Sequence, residues 1–123
     1  MARILLAEDE EPLRALLVRA FEAEHSVVAA SDGAEALDKL VAADGAFDLL
    51  LTDIRMPLMD GIALALSAAR DYPDLTILMM TGYADQRERA HGLDALIHDV
   101  VAKPFTLAQI RGAVAEALAA KRH

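Results

Sequence analysis

Residues 49–61 read LLLTDIRMPLMDG. The apolar run that opens this stretch stops at a carboxylate, Asp53, and two turn signals come after it, Met56-Pro57 and Asp60-Gly61. With Phe47 and Asp48 in front of it, the run spans residues 47–53. Its apolarity is continuous rather than alternating, which marks a strand covered on both faces, as in a parallel sheet. RILLAE (3–8), LTILMMTG (75–82) and HDVVAK (98–103) have the same character, and HSVVAAS (25–31) is a shorter, weaker version.

Helix-period patterns fill the intervals. Leu13, Leu16, Leu17, Ala20 and Phe21 fall on one face, with Pro12 suited to a first turn. Leu37, Leu40 and Val41 come after start-of-helix chemistry at Asp32 and Glu35. Ile62, Ala65, Leu66 and Ala69 make a third face. A polar segment from Asp85 to about His91 ends at Gly92, a fitting C-cap. A capping box, Thr106 with Gln109, opens the last helix. Strand and helix alternate five times, each helix carrying the chain across to the next parallel strand. The pattern predicts an α/β, doubly wound, five-stranded parallel sheet with five helices.

Composition narrows the function classes. The chain has 123 residues, enough for one domain with a sizeable core, and 55% of them are hydrophobic. No linker or second domain is visible, so residues 1–123 are expected to form one domain without an output domain. There is no cysteine, hence no disulfide framework and no thiolate metal site. The net charge of −8 argues against nucleic-acid binding. No apolar run approaches the roughly 20 residues of a membrane span, and MARILLAEDE lacks a secretory apolar region. A cytoplasmic protein is expected. The four histidines have no metal-ligand spacing.

Ligands of open α/β sheets bind beyond the carboxyl ends of the strands. There the sequence places Glu8 and Asp9 after the first strand, Asp53 after the third, Thr81-Gly82 after the fourth and Lys103-Pro104 after the fifth. Any one of these is ordinarily a cap or a turn; their joint placement is what signals a site. Three crowded acids raise one another's pKa, and a hard divalent cation relieves the repulsion. Mg²⁺ takes oxygen ligands and works with phosphate. Asp53 is then a carboxylate nucleophile for a phosphoryl group, with charge from Lys103 and a hydroxyl from Thr81.

The acidic pair Glu8-Asp9, the segment DIRMPLMDG, Thr81-Gly82 and the triplet Lys103-Pro104-Phe105 resemble, in order and spacing, the receiver domain of two-component response regulators. The resemblance covers essentially the whole chain. It implies a flavodoxin-like sheet of order 2-1-3-4-5. It implies that Asp53 accepts phosphoryl from a histidine kinase or histidine phosphotransfer protein. Asp9, Asp53 and the Arg55 backbone carbonyl would ligate Mg²⁺, and Glu8 would hold its waters. Thr81 and the Gly82 backbone would contact the phosphoryl group, Lys103 would pair with it, and the Lys103-Pro104 bond would be cis. The only catalysis implied is the protein's own phosphorylation and dephosphorylation.

One departure stands out. Val100 occupies the place, three before Lys103, where the family commonly carries a Tyr or Phe that flips on phosphorylation. Tyr83 is the candidate replacement, and Arg55 with Tyr83 flanks the expected path of an attacking water. TDIRMPLMDGIALA and TGYADQRERAHGLDALIHDVVAKPFTL further resemble stand-alone receivers that regulate a Clp-type AAA+ protease. The alternative within the family is a diffusible phosphorelay or chemotaxis-like messenger. An aspartate-nucleophile phosphatase of the haloacid dehalogenase type is disfavoured, because Arg55 stands where that chemistry needs a second acid. A nucleotide-binding module is disfavoured by the acidic AEDEEP after the first strand, where a glycine-rich loop belongs.

Overall fold

All five apolar runs pair side by side in a computed structural model of the chain, which describes residues 1–82, 88–90 and 92–120. They form β1 (Arg3–Ala7), β2 (Ser26–Ala30), β3 (Leu49–Asp53), β4 (Thr76–Thr81) and β5 (Asp99–Ala102). The sheet is parallel throughout, in the order β2-β1-β3-β4-β5. Central β3 is buried at every residue, as its unbroken apolarity requires. Register places Leu5 beside Leu50, Asp53 beside Met80 and Thr81 beside Ala102. Strands therefore end nearly level, and the residues just past their ends share one rim.

Alternate side chains feed two cores. Leu5, Ala7, Leu50, Ile77 and Met79 pack against α2 (Gly33–Ala42) and α3 (Gly61–Asp71). Ile4, Leu6, Leu49, Leu51, Leu78 and Met80 pack against α1 (Glu11–Glu22) and the C-terminal helix, Leu107–Ala120. Each fully buried Leu or Ile contributes roughly 1.5–3 kcal/mol. Residues 88–90 are helical within the fourth crossover; residues 85–87 and 91 of the helix expected there lie outside the described residues.

The helix starts obey the cap chemistry. Asp32 accepts from the Glu35 amide at 2.7 Å. Thr106 and Gln109 bond reciprocally, at 2.8 and 3.0 Å. Asp60, read as a turn residue, also caps α3 through the Ala63 amide at 2.8 Å. The helix faces are less well foreseen. Leu16, Val41 and Leu66 are 40%, 56% and 47% exposed, while Leu64 and Ala68 join Ile62 and Ala65 in the buried places on α3. On α3 the alanines lie all around the helix, so its larger residues do not by themselves mark the inner face.

Candidate functional site

The site begins where β1 and β3 run out. Glu8, the residue after β1, is fully buried, and its amide still donates to the Ala30 carbonyl at 3.1 Å. Asp53 closes β3 and is 6% exposed. The Ile54 amide donates to Asp53 Oδ1 at 2.9 Å and fixes the carboxylate's rotation. Beyond β5, the Lys103 amide donates to the Thr81 carbonyl at 2.7 Å, and a cis peptide joins Lys103 to Pro104. Lys103 Nζ then reaches Glu8 Oε1 and Asp53 Oδ2, each at 3.0 Å.

One carboxylate oxygen from each of Glu8, Asp9 and Asp53 lies within 4.8 Å of the others. Asp9 is exposed and lines a cleft of about 750 Å³ with Asp53, Arg55, Gly82, Lys103 and Phe105. Thr81, buried at the end of β4, is next to Gly82.

Burial dominates the electrostatics. It pushes the Glu8 carboxyl up to about 7 against the pull of the Glu10 amide, with the Asp53 charge adding to the rise and Lys103 opposing it. Burial also raises Asp53, and the hydrogen bond and charge of Lys103 counter it. Burial pulls the Lys103 ammonium down, but its bonds to Asp53 and Glu8 outweigh that and hold it above its ordinary value. Repulsion among the acids is thus a smaller cause than their withdrawal from water, contrary to the expectation from crowding alone. The donor set suits a hard divalent cation: three carboxylates and no nitrogen or sulfur. Lys103 already shows that the buried carboxylates gather positive charge.

The structure therefore brings together Glu8, Asp9, Asp53 and Lys103, with Arg55 and Gly82 on the cleft wall. Val100 is half-buried on β5, paired with Met79 and packed towards α2 and α3. Tyr83 lies outside the described residues. Met56 belongs to the core beneath α2 and α3, and half-buried Met59 packs against it.

Other contributors carry no motif. Gly61 closes the loop by donating to the Ile54 carbonyl at 2.7 Å, and a Cβ there would lie 2.0 Å from the Asp53 carbonyl oxygen. The Asp-Gly pair signals a turn, not this close approach. Arg14 donates to the Glu8 carbonyl at 2.9 Å, and Arg89 meets Asp60 at 3.3 Å. Neither contact has a local sequence signal.

Comparison with known proteins gives the same answer from sequence and from structure. Residues 4–115 match the family model described as response regulator receiver domain. The chain is 44% identical over 108 residues to the response regulator receiver protein CpdR of Brucella abortus, covering 87% of this chain and 88% of that protein. It is 38% identical over 109 residues to the response regulator MprA of Mycobacterium avium, covering 88% of this chain but only 47% of that longer protein. The fold superposes on the Thermotoga maritima response regulator TrrA, solved with Mg²⁺ and BeF, with a TM-score of 0.83 at 29% identity, covering 95% of this chain and 99% of that one. Among the described residues, no helix is long and apolar enough to cross a membrane.

Proposed function

The chain belongs to the response regulator receiver domain family, and from that membership we propose that Asp53 is its phosphoacceptor, served by Glu8, Asp9, Thr81, Gly82 and Lys103. Receiver domains take phosphoryl groups from histidine kinases or phosphotransfer proteins and bind Mg²⁺ at an acidic pocket. The observation that carries the assignment is the convergence of three carboxylates within 4.8 Å, one of them at the end of the central strand and held by Lys103 at 3.0 Å.

In the proposed reaction an Asp53 carboxylate oxygen attacks the phosphorus of a phosphohistidine. The P–O bond forms as the P–N bond breaks, and the leaving imidazole keeps the electron pair and takes a proton. The Ile54 amide holds the carboxylate's orientation throughout. Lys103, already within 3.0 Å of Asp53, would pair with a phosphoryl oxygen. The Thr81 hydroxyl and the Gly82 backbone amide would donate to the other oxygens. Glu8, Asp9, Asp53 and the Arg55 carbonyl are the proposed holders of Mg²⁺, which supplies positive charge to the phosphoryl oxygens when bound. No other activity of the chain is proposed.

Likeness to CpdR over 88% of that protein's length supports a stand-alone receiver that acts through its own surface, in the manner of a regulator of a Clp-type AAA+ protease. In that reading the unphosphorylated form assists substrate delivery and phosphorylation switches it off. With Val100 in place of the usual aromatic, Tyr83 is proposed to transmit the change, and Tyr83→Ala should then abolish phosphorylation-dependent partner exchange. Arg55 and Tyr83 are proposed to shield the acyl phosphate from water, so alanine at either should shorten its lifetime.

The acceptor reading is tested by intact mass after incubation with phosphoramidate and Mg²⁺. Wild type should gain one phosphoryl group and Asp53→Asn none; a gain by Asp53→Asn refutes the assignment. Partner capture with and without phosphodonor tests the protease reading, which requires a Clp-type unfoldase to bind the unphosphorylated form alone.

A further inference from the structure

The residue between β1 and α1 that carries the exposed acid, Asp9, has unusual support. β1 ends at Ala7 and α1 begins at Glu11, leaving Glu8, Asp9 and Glu10 between ladder and helix. Glu10 stands at the N-cap of α1 but makes no side-chain cap bond. Its amide turns back to Glu8 Oε2 at 3.0 Å instead. Glu8 is fully buried, so its carbonyl needs a partner inside the protein. Arg14, one turn into α1, supplies it: Nη1 donates to that oxygen at 2.9 Å.

The Glu8 carbonyl and the Asp9 amide belong to one rigid peptide plane. Fixing the carbonyl therefore fixes the plane from which the Asp9 side chain departs. We propose that Arg14 is the positioning residue of the acidic loop, holding the Glu8-Asp9 peptide so that the Asp9 carboxylate meets a divalent cation beside Glu8 and Asp53. The proposal rests on the acceptor reading above. It also sets two consequences of one side chain against each other. As a positive charge beside the Glu8 backbone, Arg14 opposes cation binding; as a brace, it favours it. The proposal is that the brace wins.

Mg²⁺ titration of the full chain by calorimetry separates the two. Arg14→Gln removes both the charge and the fork of donors and should bind Mg²⁺ roughly tenfold more weakly, the scale seen when partners that orient metal ligands are lost. Arg14→Lys keeps the charge with a poorer donor geometry and should fall between wild type and Arg14→Gln. Without metal, the Glu10 amide should exchange its hydrogen faster in Arg14→Gln. Saturating Mg²⁺ should restore that variant's rate of phosphoryl uptake from phosphoramidate, and unchanged far-UV circular dichroism without metal sets the effect apart from a general folding defect, which Mg²⁺ would also rescue by mass action. Equal or tighter Mg²⁺ binding by Arg14→Gln overturns the proposal and makes Arg14 a bystander charge. If Arg14→Gln does not fold, Arg14→Lys decides, and unweakened binding by it overturns the proposal. A wild type that takes up no Mg²⁺ overturns the acceptor reading itself, and this inference with it.

Discussion

Replacing Glu8 with glutamine should make the protein more stable at pH 8 in the absence of divalent cations. Glu8 is fully buried, and burial lifts its carboxyl from an ordinary 4.5 to about 7. A group whose pKa is raised by folding binds protons more tightly in the folded state, so stability falls as pH climbs between the two values. Below about pH 4.5 the carboxyl is neutral in both states and costs nothing; above about pH 7 it is ionised in both and the full cost is present. Each pH unit of separation corresponds to about 1.4 kcal/mol, which puts the cost at about 3 kcal/mol at pH 8 and below about 1 kcal/mol at pH 5. Glutamine imitates the neutral acid in shape and removes that cost. The assay is urea unfolding of wild type and Glu8→Gln in chelator at both pH values, read as a change in midpoint at constant slope. Mg²⁺ should narrow the gap at pH 8, because wild type gains more from binding it. Equal stabilities at pH 8, or a gain of the same size at pH 5, would refute the reasoning. The variant should also lose Mg²⁺ affinity, the usual exchange of function for stability at a charged site.

Three other substitutions probe the frame of the site. Gly61→Ala should cost on the order of 2 kcal/mol in urea unfolding and slow phosphoryl uptake, since the new methyl would meet the Asp53 carbonyl oxygen at 2.0 Å; unchanged uptake would show that the loop relaxes away from the acceptor. Thr106→Ala removes the acceptor for the Gln109 amide and should lower stability by about 1 kcal/mol while leaving phosphoryl uptake intact. Leu58 is 87% exposed with φ 67°, a conformation asparagine tolerates better, so Leu58→Asn should be neutral or stabilising by less than about 1 kcal/mol; a larger loss in thermal or urea unfolding would mean that Leu58 packs.

Much of this protein is legible in its sequence because its strongest signals are local. Unbroken apolar runs at 3–8, 47–53 and 75–82 read as strands covered on both sides, and their alternation with helix-period segments fixes the class of fold. Residues just past the ends of parallel strands must share an edge, so Glu8, Asp9, Asp53 and Lys103 can be grouped without knowing any distance. The helix faces are harder to read: Leu66 is exposed and Leu64 buried on α3, because alanines around the helix blur the stripe. Met56 and Met59 follow Asp53 closely in sequence, which suggests packing over the cleft, but Met56 turns into the core and half-buried Met59 packs against it.

What only the folded chain decided depends on distance and solvent. The sequence places three acids together but does not say that Glu8 is sealed from water while Asp9 faces it. That difference makes desolvation rather than repulsion the chief cause of the Glu8 shift. Nor does it say that Lys103 spans 95 and 50 residues of sequence to hold Glu8 and Asp53 together, or that Arg14 reaches the Glu8 carbonyl. Periodicity and turn chemistry are properties of neighbours along the chain and survive in one dimension. Exposure to water and contact across the rim arise only when the sheet brings remote residues together.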